Sequence, residues 1–311
     1  MKQYPKMIWA TNTVKLAAAT MWTLFFAGKD FAPKCTLDEY EGVHIQDFLQ
    51  THFLNAFEHL FAQLQTAELL DSCVIGYDTL NEPSGGYLNN PDLSKVNTTT
   101  WELNIGATPN GIQSFRLGNG MQQKVEAWAM TWRGPLKQGY TIIDPQGKKA
   151  WADGRQCIWA QHGVWDAETG ELKLPRYFDT HPTSGKKFDW KEEYQLPFLE
   201  KQRSKWRAIF SNAIIFVEPQ VNNPPPKLES WNDDKRIAYA PHWYDGITLV
   251  NKKFSSKMAV DYIGHVMGKY TFGLLGAISY GWEGVRKNFD QQIKHTMEIC
   301  TKTTGMKLFQ L

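Results

Sequence analysis

Two helical patterns lead the chain. Ala17, Ala18, Met21, Leu24 and Phe25 fall on one side of a helix predicted over residues 7–27. Over residues 43–65 the signal is clearer: Ile45, Phe48, Leu49, Phe53, Ala56, Phe57, Leu60 and Leu64 recur at helical spacing. After a short polar link, Cys73-Val74-Ile75-Gly76-Tyr77 is a continuous apolar run, the pattern of a parallel strand covered on both faces. Ala213–Val217 predicts a second buried strand, stopped by Pro219 and the Pro224-Pro225-Pro226 run, and Arg236–Tyr244 a third. A helix is predicted to start near Ser255-Ser256. Another runs from Trp282 to about Cys300, with Val285, Phe289, Ile293 and Met297 on its core face.

Between the first two strands, residues 84–205 are rich in Gly, Pro, Asn and aromatics and carry little sustained periodicity. A connection of that length predicts a large insertion with short elements of its own. Helix, strand, insertion, strand, strand, helix is an α/β order. Polar residues collect past the strand ends: Asn81 and Glu82, then Asn222 and Asn223, then His242 and Tyr244. In a (β/α)-barrel those ends form the active-site face. A doubly wound sheet would also bind ligands there.

Composition narrows this picture modestly. With 42% hydrophobic and 21% charged residues in 311, the chain has material for a globular core. Its 13 Trp can pack cores or make platforms for sugar rings, and packing is the default for any one of them. A net charge of +2, with no Lys/Arg stripe on a predicted helix, argues against nucleic acid. Cys35, Cys73, Cys157 and Cys300 are widely spaced, with no C-x-x-C pair, which predicts free thiols in a reducing compartment and no zinc site. Lys2 and Lys6 precede an apolar stretch, Leu16–Gly28, in the manner of a secretory leader. Its late start, the bordering Lys15 and the interruption at Trp22-Thr23 instead predict a buried helix. No run is long and apolar enough to span a bilayer.

The chemistry concentrates at Asn81-Glu82-Pro83, which puts a carboxylate at the mouth of a predicted buried strand, with Pro83 ending the ladder. Glycoside cleavage needs a carboxylic acid to protonate the leaving oxygen, and a neighbouring amide can hold the sugar 2-hydroxyl. Buried strand, Asn-Glu-Pro and a later His-x-Tyr at a strand end together resemble glycoside hydrolase family 5. More narrowly they resemble its fungal branch of steryl β-glucosidases and glucosylceramidases related to endoglycoceramidase. The resemblance rests also on Lys6–Asn12, Thr23–Gly28, Asp30–Cys35, Cys157–Asp166 and Ala240–Gly246, and it covers nearly the whole chain.

That resemblance implies a retaining glycosidase on a (β/α)8 barrel, with Glu82 as the general acid/base of the fourth barrel strand and Asn81 as the 2-hydroxyl partner. His242 and Tyr244 match the sixth-strand pair that orients nucleophile and sugar. It implies a partial barrel, about helix three to helix six: segments 1–83 and 206–311, with 84–205 inserted after the fourth strand. The family's nucleophile is a Glu ending the seventh strand. Glu283 and Glu298 fall inside a predicted helix and do not match it, so the chain is expected to be truncated and to lack that residue. The implied substrate is a glycolipid, a steryl β-glucoside or glucosylceramide. No cofactor is needed, peripheral membrane contact through insertion aromatics is expected, and the location is cytoplasmic or membrane-associated. Trp159, His162, Trp165 and Asp166 are candidates for bordering the aglycone. Glu218, before Pro219, is expected to be an ordinary strand-end residue. The alternative is an inactive remnant that binds a glycan or a partner.

Overall fold

The computed structural model of the chain describes residues 15–97, 104–131, 134–221, 223–231, 234–266 and 268–304. Helices and strands are mixed. In chain order the main elements are α1 (Leu16–Phe31), α2 (Ile45–Thr66), β1 (Gly76–Asp78), β2 (Gly106–Thr108), α3 (Gly111–Gly118), β3 (Gln123–Thr131) and β4 (Gly134–Ile143). They continue with α4 (Leu196–Ile209), β5 (Ile214–Val217), β6 (Ile237–Tyr239), β7 (Met258–Val260), β8 (Ile278–Tyr280) and α5 (Gly281–Thr304). The chain folds as two compact units, one formed by the residues up to Ala67 with Ser84–Lys205, the other by Glu68–Pro83 with Trp206 onward.

In the first unit α1 packs on α2, and an aromatic core fills the space against the long middle segment. Phe25 meets Phe198 at 4.8 Å between ring centroids, Phe26 meets Trp190 at 5.4 Å, and Phe31 stacks on Phe178. The helix pair is locked by polar groups as well. At Ala27 the backbone of α1 leaves helical values (φ −133°, ψ 22°). An unbroken helix would pair the Lys29 N–H with the Phe25 carbonyl. Here Gln46 accepts from the N–H at 2.9 Å and Gln50 donates to the carbonyl at 2.8 Å. Spaced four apart, the two glutamines share one face of α2. This rotates the buried stripe of α2 to Gln50, Leu54 and Phe61, leaving Leu60, expected inside, 48% exposed. The described part of α1 likewise turns Ala19, Thr20 and Thr23 inward and leaves Met21 exposed. Gly86, at φ +63°, lies where a Cβ would come within 2.3 Å of the Ala19 carbonyl, so only glycine lets this loop seat on α1.

The middle segment has elements of its own. Strands β2, β3 and β4 form an antiparallel sheet with a bulge at Ala127/Trp128. Helix α3 carries a capping box, with Asn110 and Gln113 bonded reciprocally. The four residues set aside as an aglycone border are used inside this unit. Trp159 and Trp165 are fully buried, and the Trp165 indole donates to the Cys157 sulfur. His162 accepts from the Lys34 N–H and faces the Ile158 carbonyl, and Asp166 accepts from the amides of Glu168 and Thr169. Core packing therefore claims these aromatics, since indole area is worth most when wholly removed from water.

The second unit is built on a three-stranded parallel sheet in the order β1-β5-β6. At Gly76 the strands approach so closely that a Cβ would fall 2.1 Å from the Ile214 carbonyl. The first strand is shorter than the apolar run predicted, and Ile75 is 71% exposed. The reason is pairing: among the described residues β1 bonds to β5 alone, and its ladder opens with the Ile75 carbonyl accepting from the Ile214 N–H, while the Cys73 and Val74 amides turn back to the Leu69 carbonyl. Near Ser255 a strand replaces the expected helix. The Ser255 hydroxyl accepts from the amides of Lys257 and Met258, making a turn, and Met258–Val260 then pairs antiparallel with Ile278–Tyr280. Helix α5 is present, but its buried stripe is Val285, Asn288, Gln292 and Cys300, and Ile293 is 44% exposed. Buried amides win there because each finds partners: Asn288 donates to the Ala277 carbonyl and Ser279 hydroxyl, and Gln292 accepts from the Trp243 indole.

Candidate active site

Parallel pairing carries the ends of β1, β5 and β6 to one side of the sheet. The ladder continues past them, with Thr79 N–H bonding Phe216 O and Ala240 N–H bonding Val217 O. Glu82, Glu218 and His242 all follow within a few residues of those ends. Pro83 and Pro219 stop the backbone from continuing as strand, because neither can donate to a ladder.

Glu82 sits in the left-handed region, at φ +45°, a conformation that costs a non-glycine residue about 1 kcal/mol or more. Its N–H donates to Glu218 Oε2 at 2.8 Å. Its own carboxylate is largely enclosed, with 11% of the side chain exposed, and Oε1 meets two groups: His242 Nδ1 at 2.6 Å and the Tyr244 hydroxyl, which donates at 2.9 Å. His242 and Tyr244 converge because extended backbone places alternate side chains on one side. Trp243, between them, turns the other way, donating to Gln292 at 3.0 Å and packing its ring on Phe289 at 5.1 Å. Asp245 then caps the helix Gly246–Asn251, accepting from Ile247 and Thr248.

Charge is dense here. Burial opposes the imidazolium of His242, but the hydrogen bond to Glu82 and the negative charges of Glu218, Glu82 and Asp78 outweigh it and hold the His242 pKa above its ordinary value. Burial pushes the Glu218 carboxyl up, partly offset by the Glu82 N–H and by His242. Asp78 is also raised by burial, against the pull of His242. The Tyr244 hydroxyl is pushed up to about 12, by burial first and then by its bond to Glu82. The cluster can hold and pass a proton between a carboxyl and an imidazole, beside an exposed phenol.

Of the residues singled out from sequence, the structure brings Glu82, His242 and Tyr244 into direct contact. Asn81 is exposed, and among the described residues no hydrogen bond ties its side chain to this cluster. Asn223 donates to Val221 O within its own loop, and Asn222 lies outside the described residues. Lys6–Asn12 lies wholly outside them too. Sequence reading set Glu218 aside, yet it is 3% exposed, accepts from the Glu82 amide and lies 3.3 Å from His242 Nε2. The signal that could have found it was its place two residues past the run Ile214-Ile215-Phe216, beside the strand that bears Glu82. Among the described residues no group of three or more His, Cys, Asp or Glu is arranged to hold a metal ion, and no helix is long and apolar enough to cross a membrane.

No family model matches the chain. Curated proteins do. A glucosylceramidase of Aspergillus fumigatus is 34% identical over 325 aligned residues, covering 97% of this chain and 42% of that protein. An ergosteryl-beta-glucosidase of Saccharomyces cerevisiae is 32% identical, covering 99% of this chain and 42% of its own length. The crystal structure of Cryptococcus neoformans sterylglucosidase 1 with tris superposes with a TM-score of 0.88 at 34% identity, over 97% of this chain and 44% of that one. Along nearly its whole length the chain is thus similar to glucosylceramidases and sterylglucosidases of fungi, and it spans a little over two fifths of the relatives it matches.

Proposed function

We propose that the chain carries the acid/base part of a retaining β-glucosidase site acting on a glycolipid, a steryl β-glucoside or glucosylceramide. The observation that carries this reading is the convergence of His242 and Tyr244 on one oxygen of Glu82, supported by the names of the relatives. In this reading Glu82 protonates the departing aglycone oxygen and then takes a proton from water. His242 and Tyr244 hold it in place, and Asn81, open to solvent, reaches the sugar 2-hydroxyl. The three parallel strands belong to a (β/α)8 barrel, in which 1–83 and 206–311 are barrel segments and 84–205 an insertion. Access to a lipid aglycone would bring the protein to a membrane surface.

Double displacement needs a second carboxylate about 5 Å from the first. Glu218 is poorly placed for that part, because it is buried and its Oε2 already faces the Glu82 amide and His242. That favours, as second reading, binding of a glycan or partner without turnover. Assay of the purified chain on an aryl β-glucoside and on steryl glucoside, with and without Glu82→Gln, separates the two. Hydrolysis of steryl glucoside that falls by roughly 10²-fold or more in the variant supports the acid/base role. Hydrolysis that survives Glu82→Gln overturns it, and sugar binding without hydrolysis in either form supports the second reading.

A further inference from the structure

Glu218 touches both members of the Glu82–His242 pair, and it does so with one atom. Its Oε2 accepts from the Glu82 N–H at 2.8 Å and lies 3.3 Å from His242 Nε2, with the side chain 3% exposed. The Glu218 backbone is itself anchored, its N–H donating to the Thr79 hydroxyl at 2.9 Å. A buried carboxylate oxygen at ion-pair distance from Nε2 favours, by its charge, a proton on that nitrogen. The neutral ring then has only a lone pair at Nδ1. Nδ1 and Glu82 Oε1 are 2.6 Å apart, so a proton must lie between them: on Glu82 as the carboxylic acid, or on an imidazolium facing a carboxylate. In both cases the Tyr244 O–H still finds a lone pair on Oε1.

We propose that Glu218 is a positioning residue of this site, fixing His242 as the Nε2–H tautomer so that one proton is kept in the Glu82–His242 contact, and holding the Glu82 backbone in its left-handed turn. The inference rests on the acid/base reading of Glu82 for its purpose, though not for its geometry. When Glu82 passes that proton to the departing oxygen, the pair is one proton short until Glu82 takes one back from water. The charged and titratable groups that face His242 are Glu82 and Asp78 from the β1 end, Glu218 from the β5 end, and Tyr244 from its own loop. Glu218 is thus the buried negative charge on the far side of the ring from Glu82. It acts through His242 and the Glu82 amide and does not itself reach a sugar.

The test is ¹⁵N NMR of the histidine rings in the full chain, with His242 assigned by its substitution, across a pH titration. Wild type should show the Nε2–H tautomer once neutral, with a titration midpoint above the free-histidine value. Glu218→Gln, which keeps an acceptor and removes the charge, should lower that midpoint by about 1 pH unit or more. Glu218→Asp should keep it raised. An unchanged midpoint in a folded Glu218→Gln chain overturns the proposal, even if thermal stability drops, since a merely structural role moves stability alone. Should neither variant fold, the wild-type spectrum still decides: an Nδ1–H tautomer refutes it. Failure here leaves the Glu82→Gln result on steryl glucoside untouched, and hydrolysis surviving Glu82→Gln would leave the tautomer result standing, so the two readings fail separately.

Discussion

Replacing Trp159 separates a core residue from a ligand platform. The ring lies 4.9 Å from Phe178 and 5.8 Å from Tyr87, both edge-on, and 6.3 Å from Phe115, with none of its surface exposed. Its indole N–H donates to the Thr20 hydroxyl at 3.1 Å, tying the middle segment to α1. Truncation to Ala removes that bond and leaves a void, a loss of about 3–5 kcal/mol for a buried Trp. Trp159→Phe keeps much of the packing. It should cost roughly 2 kcal/mol, about half from the hydrogen bond and half from missing ring atoms. Against a typical total of ~5–15 kcal/mol the Ala variant is left marginal. Urea unfolding followed by far-UV circular dichroism, with hydrogen exchange to localise the change, should show both midpoints lowered in that order. Exchange should quicken in residues 16–31 and 157–165, which the side chain joins. An Ala variant with an unchanged midpoint and lost binding of glucosylceramide would refute the packing argument and restore Trp159 to the aglycone border.

Two further outcomes follow from the second unit. Arg207 grips Asp234 through three contacts of 3.1–3.3 Å and donates to the carbonyls of Ser211, Ala213 and Arg236, with both side chains mostly buried. Arg207→Met removes the counter-charge of that mostly buried carboxylate and should lower the unfolding free energy by about 3 kcal/mol, and a urea midpoint within error of wild type would rule this out. His242, with its pKa raised in the folded state, adds stability that is complete below the ordinary value of 6.5 and is lost as pH rises through the native value. The stability advantage of wild type over His242→Asn should therefore shrink as pH climbs past 6.5, and an advantage that grows with pH would contradict the effect of Glu82, Glu218 and Asp78 on His242.

Helix and strand were legible wherever periodicity was strong and the element long. Helices α2 and α5 lie within a few residues of their predicted bounds, and β5 differs by one. Glu82, His242 and Tyr244 could be chosen from local pattern plus resemblance, because a polar residue just past a buried strand is a local feature. Which faces those helices bury was not legible. Leu60 and Ile293 point outward while Gln50, Asn288 and Gln292 point inward, since a buried amide is tolerated only where distant carbonyls and hydroxyls happen to meet it. The role of the indoles followed the same rule, as Trp159 could be judged buried only once Thr20 and Phe178 stood beside it.

Glu82 and Glu218 lie 136 residues apart, and the pairing of β1 with β5 makes them neighbours. The sequence by itself determined the long helices α2 and α5, the buried strand β5 and the chemistry of Glu82, His242 and Tyr244 past their strand ends, because these depend on residues close together in the chain. Only the tertiary structure decided that a carboxylate dismissed as a strand end stands behind His242. Strand pairing sets contacts by register across the sheet, and no local spacing encodes that register.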